Sequence, residues 1–236
     1  MWCWFCAPTI GRVSAGGELP DAERQAWLRW GSLGWAHRHW MRRSVRAIHL
    51  FDWLSEADRY TAMLGADGYR AQVLEWLSAA QPEDCAAAGL RVDGALASLV
   101  SDTVELSVHF SPGRTHRAVA WREAAWPAAR VWVDGAPLDA DADPPGHWAD
   151  EDLYALAVAG PPEHPRQDFA HFGGALGRVR RLLVWHARER RRSALLEPAA
   201  HEDWTQPIAI VRDGALHVHA DARSAATRAP DRVLPL

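Results

Sequence analysis

The sequence predicts an α+β fold: an N-terminal helical region with a small antiparallel sheet, a long arginine-rich helix and a C-terminal β-hairpin. Three observations carry that prediction. Apolar residues recur at three-to-four spacing from Leu19 to about Ala88, the period of an amphipathic helix. From Leu96 to Phe110 the period shortens to two. Asp134-Gly135 and Asp213-Gly214 sit beside apolar runs, the strongest short-range signal for a tight hairpin. Helices first and strands afterwards fit α+β better than an alternating α/β order.

The elements follow in chain order. Leu19-Pro20-Asp21-Ala22-Glu23 opens a helix continued by Trp27, Trp30 and Leu33. Ala36, Trp40, Ala47, Ile48, Phe51 and Leu54 mark the stripe of a second, and Ser55-Glu56-Ala57-Asp58 starts a short third. A fourth, from about Gly68 to Ala80, carries Val73, Leu74 and Leu77 and stops at Gln81-Pro82. Val104, Leu106, Val108 and Phe110 alternate with polar neighbours as in a half-buried strand. The turn Ser111-Pro112-Gly113-Arg114 leads into strands over 118–122 and 130–133, an antiparallel meander. Leu138 to Pro145 reads as an acidic exposed loop. His147 to Ala159 reads as a helix ended by Gly160-Pro161-Pro162, and Gln167 to Leu196 as the longest helix, carrying Leu176, Val179, Leu182 and Leu183. Ile208 to Val211 and Leu216 to Ala220 flank Asp213-Gly214 as a hairpin, and an irregular tail follows. The expected organisation is an irregular segment 1–18 and one α+β domain over 19–236, with a helical part 19–88 and a mixed part 89–222.

Composition narrows the function classes. All 26 basic residues are arginine, so lysine Schiff bases, a Walker-type lysine and lysine acetylation are excluded. An all-arginine basic set with many alanines is also what a GC-rich bacterial genome encodes. A net charge of -4 gives no global attraction to nucleic acid or to an anionic membrane, so any polyanion site must be local. No apolar run is long enough for a membrane span, and with Cys3, Cys6 and Cys85 alone a disulfide scaffold is not expected. A cytoplasmic location without membrane insertion is the expectation.

Several short strings resemble known sites. Cys3-Trp4-Phe5-Cys6 resembles the active-site turn of thioredoxin-like proteins, which implies a low-pKa thiolate, but the helical signals that follow depart from that topology. His217-Val218-His219-Ala220-Asp221 puts two imidazoles and a carboxylate on one strand face. It resembles the His-x-His-x-Asp of metallo-β-lactamase-like hydrolases, with Ala222 where that family has a further histidine. The resemblance implies zinc on His217, His219 and Asp221. Val108-His109-Phe110-Ser111 resembles half of the paired strands of two-histidine phosphoesterases. No complete catalytic constellation accompanies these strings, and no other cofactor is expected.

The basic regions carry the leading expectation. Arg38, Arg42, Arg43 and Arg46 sit beside Trp35 and Trp40, while Arg178, Arg180, Arg181, Arg188, Arg190, Arg191 and Arg192 surround Trp185. Tryptophan and arginine are the residues enriched at interface hot spots. The expected binding residues are therefore Trp35, Arg38, Trp40, Arg42, Arg43, Arg46, Arg178, Arg181, Trp185, Arg188 and Arg192. A non-enzymatic subunit that binds a protein partner comes first, nucleic-acid binding by the same segments second, and a histidine- or zinc-dependent hydrolase at His217 and His219 third. The acidic residues Asp139, Asp141, Asp143, Asp150, Glu151 and Asp152 are placed to fold back on the basic segment.

Overall fold

Short polar turns with residues in the left-handed region cut the chain after Gly89 into strands. The structure, a computed structural model, describes residue 50 and residues 53–101, 104–123, 128–143, 145–169 and 176–236. The chain divides into two compact units, Met1–Gly89 and Leu90–Leu236.

In the first unit, helix α1 spans Ala57–Leu77 and consists of two helical segments joined at Gly65, whose φ of 75° only glycine adopts readily. It buries Tyr60, Tyr69, Val73, Trp76 and Leu77, and Trp53 stacks on Tyr60 with ring centroids 4.0 Å apart. Helix α2, Pro82–Ala87, starts with proline in its first turn behind a reciprocal Gln81 and Asp84 capping box. Where a short helix from Ser55 and a separate one from about Gly68 to Ala80 were expected, the structure has the single kinked helix α1, followed by α2. The first expected helix, from Leu19, lies outside the described residues, as does most of the second, expected from Ala36 to Leu54.

The second unit is built almost wholly of strands: β1 (Arg91–Asp93), β2 (Leu96–Val100), β3 (Val104–Phe110), β4 (Arg117–Glu123), β5 (Ala129–Val133), β6 (Ala136–Ala142), β7 (His147–Trp148), β8 (Leu153–Val158), β9 (Arg181–His186), β10 (Arg191–Leu196), β11 (Ile208–Arg212), β12 (Ala215–His219) and β13 (Arg232–Pro235). The first ten form one antiparallel sheet in the order β1-β2-β3-β4-β5-β6-β8-β9-β10, with β7 paired to β8. The last three form a second sheet, and a short helix α3, Ala222–Thr227, joins β12 to β13. Asp134 and Gly135 (φ 48° and 78°) and Asp213 and Gly214 (φ 50° and 74°) make two-residue hairpin turns of the left-handed kind that matches strand twist. No helix among the described residues is long and apolar enough to cross a membrane.

This architecture overturns the expected fold class. The small antiparallel sheet is ten-stranded, the helix expected over His147 to Ala159 is β7 and β8, and the long arginine-rich helix is the hairpin β9–β10. The tail expected to be irregular contains α3 and β13, and most of the acidic loop is β6. The physical reason lies in two cores. On β8, Tyr154, Leu156 and Val158 join a core with Ala118, Ala120, Val131, Val133, Leu138 and Leu183. On its other face, Leu153 and Ala155 join a second core with Leu182, Val184, Trp204, Ala209, Leu216 and Val218. A strand buried on both faces reads as an unbroken apolar run, and periodicity cannot separate such a run from a buried helix. Strand β9, Arg-Leu-Leu-Val-Trp-His, sends Leu183 into one core and Leu182 and Val184 into the other. Arg190, at φ 52°, then sits in a turn conformation that a helix interior does not contain.

Candidate interaction surface

Four turns of the ten-stranded sheet are gathered by side-chain contacts into one cluster, its turn end. Here the β3–β4 turn (Ser111 to His116), the β5–β6 turn (Asp134 and Gly135), the β7–β8 turn (Ala149 to Asp152) and the β9–β10 turn (Ala187 to Arg190) meet, joined by side chains far apart in sequence. The Glu151 carboxylate accepts from Ser111 Oγ at 2.6 Å, from the Gly113 N–H at 2.5 Å and from the Thr115 hydroxyl. Burial raises its pKa, but these hydrogen bonds together outweigh that and hold it at about 2, below its ordinary 4.5.

Beside it, His116 bridges two further turns. Nδ1 lies 2.5 Å from Asp134 and Nε2 lies 3.2 Å from Asp152, so both ring nitrogens are engaged by carboxylates. Asp134 also accepts from the Arg117 N–H at 2.9 Å. Asp152 meets Arg188 at 3.1 Å, and its carbonyl accepts the Ala187 N–H at 2.7 Å, which fixes the base of the β9–β10 turn. Behind His116 stands a series of rings. His116 stacks on Trp148 at 6.0 Å, Trp148 tilts against Tyr154 at 5.1 Å, and Tyr154 meets the edge of His109 at 6.2 Å. The buried Tyr154 hydroxyl accepts the Gly146 N–H, and burial drives its pKa far up.

The described histidines near this end act as ties. His109 Nδ1 contacts the Gly146 carbonyl at 2.9 Å, and His147 Nε2 contacts the Ala209 backbone at 2.7 Å. Burial lowers the pKa of both rings despite these contacts. A general base needs a free nitrogen within reach of a substrate proton. Both nitrogens of His116 are engaged by carboxylates, and Nδ1 of the partly buried His109 is held by the Gly146 carbonyl.

The sequence-predicted binding residues separate into three groups. Trp35, Arg38, Trp40, Arg42, Arg43 and Arg46 lie outside the described residues, as do Cys3 and Cys6. Arg178 pairs with Asp203 at 2.6 Å, Arg180 with Asp143 at 2.5 Å, and Arg181 donates to the Ala159 carbonyl at 2.7 Å, so these three tie the frame together. Trp185 packs against the first core, half-buried. Arg188 and Arg192, with Arg190 and Arg191, occupy the tip of β9–β10. Their exposure is high: 74% for the Arg188 side chain and 61% for that of Arg191. Arg190 and Arg192 are exposed and form no ion pair among the described residues. Ser193 is the extra residue of a bulge in this edge strand, a device that discourages sheet-to-sheet pairing. Of the acidic residues expected to fold back, Asp143 and Asp152 do so, on Arg180 and Arg188. Sequence reasoning did not find His116, Asp134 or the Glu151 latch. The one available signal was the adjacency of His116 and Asp134-Gly135 to hairpin turns.

The zinc candidates sit elsewhere. His217 and His219 share one face of β12, opposite the buried Leu216 and Val218. Asp221 caps α3, accepting the Ser224 N–H at 2.6 Å. Among the described residues no three His, Cys, Asp or Glu side chains are gathered to hold a metal ion. His219 is 2% exposed, and neither ring nitrogen has a hydrogen-bond partner among the described residues. Burial lowers its pKa; Asp231 opposes this, and Arg212 and His217 add to it. The unfolded ring takes up a proton near its ordinary 6.5 while the folded ring resists, so its contribution is intact above that pH and is lost as pH falls. Replacing His219 by leucine removes two unsatisfied buried atoms, and we expect a gain of about 1 kcal/mol at pH 7 and a shallower loss of stability from pH 6.5 to 5, read by urea denaturation. A destabilised variant with an unchanged pH profile would show that the ring is satisfied in the native state.

Comparison of the chain with protein-family models, with curated proteins and with solved structures gives no match in any of the three.

Proposed function

We propose that this chain is a non-enzymatic interaction subunit that binds a protein partner through the turn end of its ten-stranded sheet. One observation carries the reading: at that end Glu151, His116, Asp134 and Asp152 lock four turns together, while Arg188, Arg190, Arg191 and Arg192 project from the platform. A rigid base lowers the entropy lost on docking, and arginine is among the residues that dominate interface energetics.

The test must respect the absence of lysine, because amine-reactive crosslinkers have no side chain to attack here. A photoreactive residue placed at Glu189, with Arg212 as the control position, is irradiated in nuclease-treated and in untreated lysate of the native host. The reading expects a discrete set of proteins captured from position 189, absent from position 212 and lost when Arg190→Glu and Arg192→Glu are added. Equal capture from both positions, or capture that requires intact nucleic acid, overturns it.

A further inference from the structure

Four guanidinium groups occur within five residues at the β9–β10 tip, with Glu189 the single carboxylate in that span. Glu189 is taken by Arg191 at 2.5 Å and Asp152 by Arg188 at 3.1 Å, which leaves Arg190 and Arg192 without a matching carboxylate among the described residues. Guanidinium forks match carboxylates two bonds at a time. Arg191, Arg192 and Ser193 are all exposed, and β10 ends the ten-stranded sheet. Because strand side chains alternate, Arg191 and Arg192 point to opposite faces of β10. A segment that crosses the tip therefore meets arginines on both faces of β10.

We propose that the β9–β10 tip binds an extended, carboxylate-rich segment of a partner protein, with Arg190 and Arg192 as its principal contacts and Arg188 and Arg191 flanking them. This rests on the reading above that the turn end is the partner-binding surface. Charge decides the partner class. A nucleic acid is a long polyanion and would have to cross the neighbouring turns, where Asp134, Asp150, Glu151 and Asp152 concentrate negative charge, on a chain whose net charge is already -4. A short acidic peptide reaches the tip alone and avoids those carboxylates.

The full chain is titrated with three fluorescein-labelled probes: a decamer of glutamate, a decamer of glutamine and a 20-base-pair DNA duplex. The expected result is binding of the glutamate peptide that weakens about tenfold between 50 and 200 mM salt, as screening of exposed charges requires, with no binding of the glutamine peptide. Arg190→Glu with Arg192→Glu reduces that binding by about a hundredfold, on the order of tenfold for each arginine; Arg212→Glu leaves it within about twofold. Circular dichroism confirms that each variant is folded. Equal binding by the wild type and the double variant overturns the proposal, as does tighter binding of the duplex than of the glutamate peptide. Loss of photo-captured partners from the double variant, combined with no affinity for the glutamate peptide, would remove the acidic-segment proposal and leave the interaction reading standing.

Discussion

Replacing Trp204 with alanine is expected to lower stability by about 3–5 kcal/mol, the usual range for removing a fully buried aromatic side chain. The indole is wholly inaccessible to solvent and belongs to the second core, whose other members are Leu153, Ala155, Leu182 and Val184 from the ten-stranded sheet and Ala209, Leu216 and Val218 from the three-stranded one. Its backbone carbonyl accepts the Arg180 N–H at 2.7 Å, so the residue also anchors the chain beside β9. The Arg232 guanidinium lies 5.9 Å from the ring centroid while bonded to Glu202, which closes the rim of this core. The indole N–H has no partner among the described residues, so the ring acts through volume and apolar area. Trp204→Phe should therefore retain more than half of the lost stability. Chemical denaturation followed by circular dichroism checks both variants. A Trp204→Ala change of less than about 1 kcal/mol would mean that the two sheets are not held together through this ring.

Legibility in the sequence follows how many faces of each element are buried. Strand β3 was readable because its environment differs between faces: Leu106, Val108 and Phe110 are buried while their neighbours are partly exposed. The Asp-Gly turns at 134–135 and 213–214 were readable because their chemistry is local, a left-handed pair of residues that aspartate and glycine accept. Strands β8 and β9 were not readable. Each feeds two cores, so Leu182-Leu183-Val184 shows no alternation, and the arginines on both sides supplied a false polar face. The same limit applies to the surface. The arginine content of 188–192 was visible from composition, but whether those side chains lie along a helix or crown a hairpin depends on Arg190 adopting φ 52°. The cross-links beneath were out of reach, because Glu151 and Ser111 are 40 residues apart and meet only when the strand order is known. Tertiary context overrides local propensity at those positions.

Glu151→Ala should lower stability by about 2–3 kcal/mol, since hydrogen bonds to a charged group are the stronger kind and the variant strips the β3–β4 turn of its acceptor. Ser111 is 1% exposed, so losing this carboxylate leaves a buried hydroxyl short of its partner. The pH dependence has a definite sign. The folded carboxyl titrates at about 2 and the unfolded one at its ordinary 4.5, so the unfolded state binds the proton first as acid is added. The stabilisation is complete above about pH 4.5 and disappears progressively toward pH 2, beyond the histidine-linked loss that begins near pH 6.5. Urea titrations from pH 7 to pH 2.5 should show wild type and Glu151→Ala converging on the acid side, with the difference largest at neutral pH. Amide exchange at Gly113 and Thr115 should accelerate in the variant at pH 7, while that at Ala209, on the far side of the second core, stays slow. Uniformly faster exchange would assign Glu151 to global stability alone. Confinement of the change to the turn would connect it to binding, because the arginine tip is held through Asp152, the residue after Glu151. Partner affinity should then fall in Glu151→Ala even though every arginine remains.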